Sequence, residues 1–139
     1  MKKPEAALWL EYALEDLTMA QLAFREGLWR GAVFHAHQAA EKALKAAWIE
    51  FGLLPEKTHN LIRLASRIEG HGVVLDADDL KFLNLFYTES RYPTGWELIR
   101  EREIGESEAA TPLEVLVNIF NDASVAEKFS LGQIARERI

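Results

Sequence analysis

The sequence predicts an all-α fold, an up-and-down bundle of four to five helices. Three observations carry this. Apolar residues recur at three- and four-residue spacing along most of the chain, no run alternates polar and apolar residues as a half-buried strand would, and prolines, glycines and small polar residues stand where helices start and stop.

Pro4 suits a first helical turn, and Leu10, Ala13, Leu14, Leu17 and Phe24 then recur at helical spacing to about Arg25. Glu11, Glu15, Asp16 and Glu26 fall mostly elsewhere on that wheel, and Gly27 ends the helix. A second helix runs from about Trp29 to Phe51. Its stripe of Val33, Ala36, Ala40, Ala43, Leu44, Ala47 and Phe51 is rich in alanine, so a neighbouring helix can approach closely. Gly52 stops it, and Leu53 to Lys57 forms a connection. Thr58 is the expected N-cap of a short third helix with Leu61, Ile62, Leu64, Ala65 and Ile68 on its apolar face, ended by Gly70-His71-Gly72. Asp76, with Asp78 and Asp79, opens a fourth helix by capping it and complementing its dipole. Leu80 to Tyr87 is apolar nearly all round, which predicts cover on more than one side, in the middle of a bundle or in a dimer interface.

Pro93 stops the fourth helix, and Pro93-Thr94-Gly95 reads as a turn. Glu97 to Thr111 is glutamate-rich and reads mostly as a solvated loop with one helical turn near Trp96. Thr111-Pro112-Leu113-Glu114 supplies cap, first-turn proline and capping-box glutamate for a last helix reaching about Phe129. The expectation is one domain over 1–139, with its core in about 4–130 and 131–139 as a tail.

Composition narrows the function. The 139 residues are 49% hydrophobic and 27% charged, the balance of one compact domain. The absence of cysteine removes thiol nucleophiles and thiolate metal sites together. No apolar stretch approaches the ~20 residues that cross a bilayer, and the first residues do not read as a signal peptide. A cytoplasmic location and no membrane partner are therefore expected. With 16 Lys and Arg against 22 Asp and Glu, the net charge of −6 argues against coating nucleic acid through a general field, and leaves a local basic site open.

Of the candidate chemistry, His35 and His37 are two residues apart and point to different faces, unlike a metal-binding i, i+4 pair. Glu56-x-x-His59 is a single copy beside Pro55, short of the paired motifs that di-iron bundles need, so no metal and no cofactor are expected. Glu41 and Lys45 lie one turn apart and read as a solvated salt bridge. Arg91 complements the C-terminal dipole of the fourth helix, and beside Tyr92 its guanidinium can also take a phosphate bidentately.

Three blocks, Ala39-Ala40-Glu41-Lys42-Ala43-Leu44-Lys45-Ala46, Thr58-His59-Asn60-Leu61 and Arg91-Tyr92-Pro93, together resemble the signature of HEPN domains (higher eukaryotes and prokaryotes nucleotide-binding). The resemblance covers nearly the whole chain. It implies a homodimer with a cleft between subunits near the end of the fourth helix. Many members are metal-independent ribonucleases, often toxins, paired with a minimal nucleotidyltransferase antitoxin. Their motif is an arginine and, after four to six residues, a histidine that moves a proton. Arg91 matches the arginine, whereas Trp96, Glu97 and Leu98 occupy the histidine positions. That departure resembles the Arg-Tyr-Pro branch and points to binding more than to catalysis. The expected function is a non-catalytic or weakly active dimer that binds nucleotide or RNA and works with a minimal nucleotidyltransferase in a toxin–antitoxin-like pair. Its ligand site would use Arg91, Tyr92 and His59, with Lys42 and Lys45 adding charge. The alternatives are a metal-independent endoribonuclease with Arg91 catalytic, His59 substituting for the absent histidine if the third helix starts beside Arg91, and a purely structural dimerisation scaffold.

Overall fold

Proline in the first turn of helix α1, Pro4–Arg25, costs no hydrogen bond, because the N–H it lacks would have no partner inside the helix. Gly27 closes α1 with φ 72°, a left-handed conformation that lets the Leu28 N–H return to the Ala23 carbonyl at 2.8 Å. Helix α2, Trp29–Glu50, ends the same way: Gly52 takes φ 81° and the Leu53 N–H reaches the Trp48 carbonyl at 2.7 Å. These are the boundaries that the local sequence signals predict. The computed structural model describes residues 3–71, 75–91, 105–107 and 109–110, without the side chains of 86–91.

The short Glu26–Leu28 connection makes α1 and α2 an antiparallel hairpin. Buried alanines on both helices, among them Ala13, Ala20, Ala36 and Ala40, let the backbones come close. Helix α2 is the central element and packs against α1, α3 and α4. Its Trp48 is almost fully buried, and the indole N–H donates to the Leu64 carbonyl at 2.8 Å, which ties α2 to helix α3, Leu61–Ser66. The core is completed by Leu10, Leu14, Leu17, Leu44, Leu61 and Ile68, and by Leu80 and Leu83 of helix α4, Ala77–Arg91.

Asp76 caps α4 as expected, its Oδ1 accepting from the Asp78 and Asp79 N–H groups. Two expectations change. The cap of α3 is Asn60, whose Oδ1 accepts from the Ile62 and Arg63 N–H groups, while the Thr58 hydroxyl accepts from the Asn60 N–H and shapes the turn before the helix. Residues 106–107 and 109–110, read as loop, are helical, because Ala109 finds an apolar seat against Ala32 and Val33 of α2. The last helix expected after Thr111 lies outside the described residues. All regular structure among the described residues is helical, so the all-α expectation holds. No described helix is long and apolar enough to cross a membrane.

Candidate functional site

On α2, residues 37, 41, 45 and 48 follow one another at helical spacing and are all buried, so His37, Glu41 and Lys45 share a face with Trp48. Glu41 and Lys45 are only 5% and 7% exposed, so the pair is not the solvated bridge that spacing alone suggests. An unpartnered buried charge is costly, and each oxygen of Glu41 has a donor. Lys45 Nζ reaches Oε2 at 3.1 Å and His59 Nδ1 lies 2.7 Å from Oε1. Lys45 Nζ also stands 5.7 Å from the centre of the Trp9 ring, a cation–π contact with α1.

His59 precedes α3 in a segment clamped to α4. Asn84 Oδ1 accepts from the Leu61 N–H at 3.0 Å, and Asn84 Nδ2 donates to Asn60 Oδ1 at 3.0 Å. His37 Nε2 lies 3.3 Å from the same Asn84 Oδ1. Burial pushes His37 below the ordinary histidine range, which favours the neutral ring. Asn84 stands seven residues before Arg91 on α4, two turns and about 10 Å of rise along the same register. The His59 segment is thus tied to the helix that ends at Arg91. The Arg91 side chain and all of Tyr92 lie outside the described residues.

Lys42 belongs to a different cluster. Asp16, whose sequence position reads as off the apolar face, is buried between α1 and α2. Its Oδ1 is 2.8 Å from His35 Nδ1, and its Oδ2 accepts from Lys42 Nζ. Burial by itself would raise Asp16, but the hydrogen bonds and charges of His35 and Lys42 outweigh it and hold the carboxyl below its usual range. A small cleft of about 140 Å³ beside it is lined by Tyr12, Glu15, Met19 and Lys42. The fold therefore brings Lys45 to His59 through Glu41 and sends Lys42 to Asp16. Glu56 forms a two-point pair with Arg63, at 3.1 and 2.7 Å, which lowers the carboxyl and raises the guanidinium. Among the described residues no group of three or more histidines and carboxylates could hold a metal ion.

Glu41 and Asn84 are the residues that sequence reasoning missed as organisers of this site. Both carried a signal: Glu41 shares the spacing of Leu44 and Trp48, and Asn84 interrupts the apolar run of α4.

The profile of the HEPN domain matches residues 6–124, which takes in α1 from its third residue and all of α2 to α4, with Glu41, His59, Asn84 and Arg91. The chain belongs to the HEPN domain family. It is also similar to the crystal structure of TT1696 from Thermus thermophilus, with 28% identity and a TM-score of 0.76 over 91% of this chain and 100% of that one. No curated protein matches the chain. As a HEPN domain it is a nucleotide- or RNA-related module, and HEPN domains often dimerise.

Proposed function

We propose that this HEPN chain is a homodimer that binds a nucleotide or RNA phosphate through Arg91, Tyr92 and His59, in partnership with a minimal nucleotidyltransferase as a toxin–antitoxin-like pair. The observation that carries the reading is the Asn60–Asn84 clamp, which ties the His59 segment to α4 two turns before Arg91. A guanidinium and an imidazole are the donors that phosphate recognition needs, and a local pair of them works in a chain whose net charge is −6. Lys45 reaches His59 only through Glu41, which it neutralises, and Lys42 is matched by Asp16, so the charge that a phosphate would meet rests on Arg91 and His59.

A second reading, a metal-independent endoribonuclease, is favoured by one feature: His59 has the carboxylate partner that proton-carrying histidines commonly use. An end-labelled RNA pool incubated with the protein in EDTA separates the two, run beside Arg91→Ala and His59→Ala. Bound but intact RNA, with binding weakened in both variants, is the expected result. Cleavage that both variants lose would establish the ribonuclease instead. Binding that survives both substitutions would refute the site and leave a structural dimer.

A further inference from the structure

We infer that Glu41, with Lys45 as its counter-charge, is a positioning residue that holds the His59 ring in one orientation and one tautomer, with the imidazole proton on Nδ1. This inference rests on the proposed ligand site and assigns the geometry of one of its members.

An ionised carboxylate only accepts hydrogen bonds. With Oε2 of Glu41 taken by the Lys45 ammonium and Oε1 at 2.7 Å from His59 Nδ1, the imidazole proton must sit on Nδ1 for the contact to be a hydrogen bond. In the neutral ring Nε2 is then an acceptor, and only the protonated ring carries a second N–H there that can donate to a phosphate oxygen. The burial pattern agrees: the Glu41 side chain is 6% exposed, while that of His59 is 57% exposed, so the ring is anchored from its buried side.

The second carboxylate shows what the anchoring adds. Asp16, His35 and Lys42 repeat the carboxylate–histidine–lysine composition, but that cluster joins only α1 and α2. His59 is held from two sides. Glu41 takes its ring, and the neighbouring Asn60 is fixed to α4 by Asn84. Among the described residues the ring meets Glu41 of α2 and, through it, Lys45, with the buried His37 nearby, and the α4 residue on the clamp is the uncharged Asn84. One buried carboxylate therefore sets the ring, while a neutral amide sets the chain that carries it.

Long-range ¹⁵N–¹H spectra of the His59 ring, recorded where histidine is neutral, read the tautomer directly. The full chain is expected to show Nδ1 protonated and Nε2 bare. Glu41→Gln keeps the shape, loses the charge, and is expected to give mixed tautomers. Because Glu41→Gln leaves Lys45 buried without its counter-ion, Glu41→Gln/Lys45→Met, which removes both charges together, gives a second folded background with the same expected mixture. Glu41→Asp is expected to restore part of the Nδ1–H preference, which a packing role would not do. An Nε2–H tautomer in the unaltered protein, or one unchanged in both neutral variants, would overturn the inference. Affinity for a short end-labelled RNA is expected to fall about tenfold in Glu41→Gln, as for losing one charge-assisted hydrogen bond. If the tautomer responds to Glu41 but His59→Ala keeps full RNA affinity, the proposed ligand site falls while the Glu41–His59 positioning stands.

Discussion

At Glu41 the buried carboxylate gives a fixed geometry more than it gives stability. Desolvating an ion pair offsets most of its attraction, so an apolar replacement of both partners is often neutral, whereas removing one partner strands a buried charge. Lys45→Met is therefore expected to lower the unfolding free energy by about 3 kcal/mol, and Glu41→Gln/Lys45→Met by less than half as much; urea denaturation of the two variants checks the order. His37 makes a second expectation, in pH. Its folded-state pKa lies below the ordinary 6.5, so from that value downward the unfolded chain binds a proton that the folded chain refuses. The contribution of neutral His37 is fully present above pH 6.5 and is lost as the pH falls below it. Asp16 shifts the same way but lower down: its contribution is present above its usual 3.8 and is lost as the pH falls through its depressed value. Thermal unfolding across pH is expected to show a decline beginning near 6.5 that is weaker in His37→Gln.

The element that decides the site is the stretch between α2 and α4, which seats Leu61, Leu64 and Ile68 in the core and is tied to α4 by amides. Asn84 satisfies the Leu61 N–H and Asn60 at once, so its loss leaves a partly buried donor unpaired. Asn84→Ala is expected to cost about 2 kcal/mol. Amide exchange should rise over residues 59–66 while the α1–α2 hairpin keeps its protection, and a uniform rise would count against a local clamp. At the other end of the same stretch, Gly52 has φ 81° and space for a methyl group, the nearest atom being Lys3 Nζ at 3.7 Å from an added Cβ. Gly52→Ala is thus a test of backbone strain without crowding, with an expected cost of about 1 kcal/mol.

For the whole molecule, the proposed function requires two copies. A single described chain leaves Leu8, Tyr12, Met19 and Leu22 of α1 exposed, yet nothing in one chain selects the face that a second copy covers. Sedimentation at micromolar concentration is expected to give twice the mass of one chain. A monomer under those conditions would remove the cleft between subunits on which the ligand site depends.

The starts and stops of α1 and α2, the cap of α4, the all-helical class and the kinship with HEPN domains were legible in the sequence, because each rests on short-range chemistry: proline in a first turn, glycine at positive φ, aspartate accepting from nearby N–H groups, and motifs in order along the chain. His59 was legible as a candidate, and Arg91 with it. That Glu41 and Asp16 are buried, that Lys42 and Lys45 part company, that Asn60 takes the cap from Thr58, and that Asn84 binds the His59 segment to α4 was decided only by the tertiary structure. The reason is physical: a helical position on a wheel has no inside until another helix packs against it, and a carboxylate has no fixed role until the fold settles which cations it must meet.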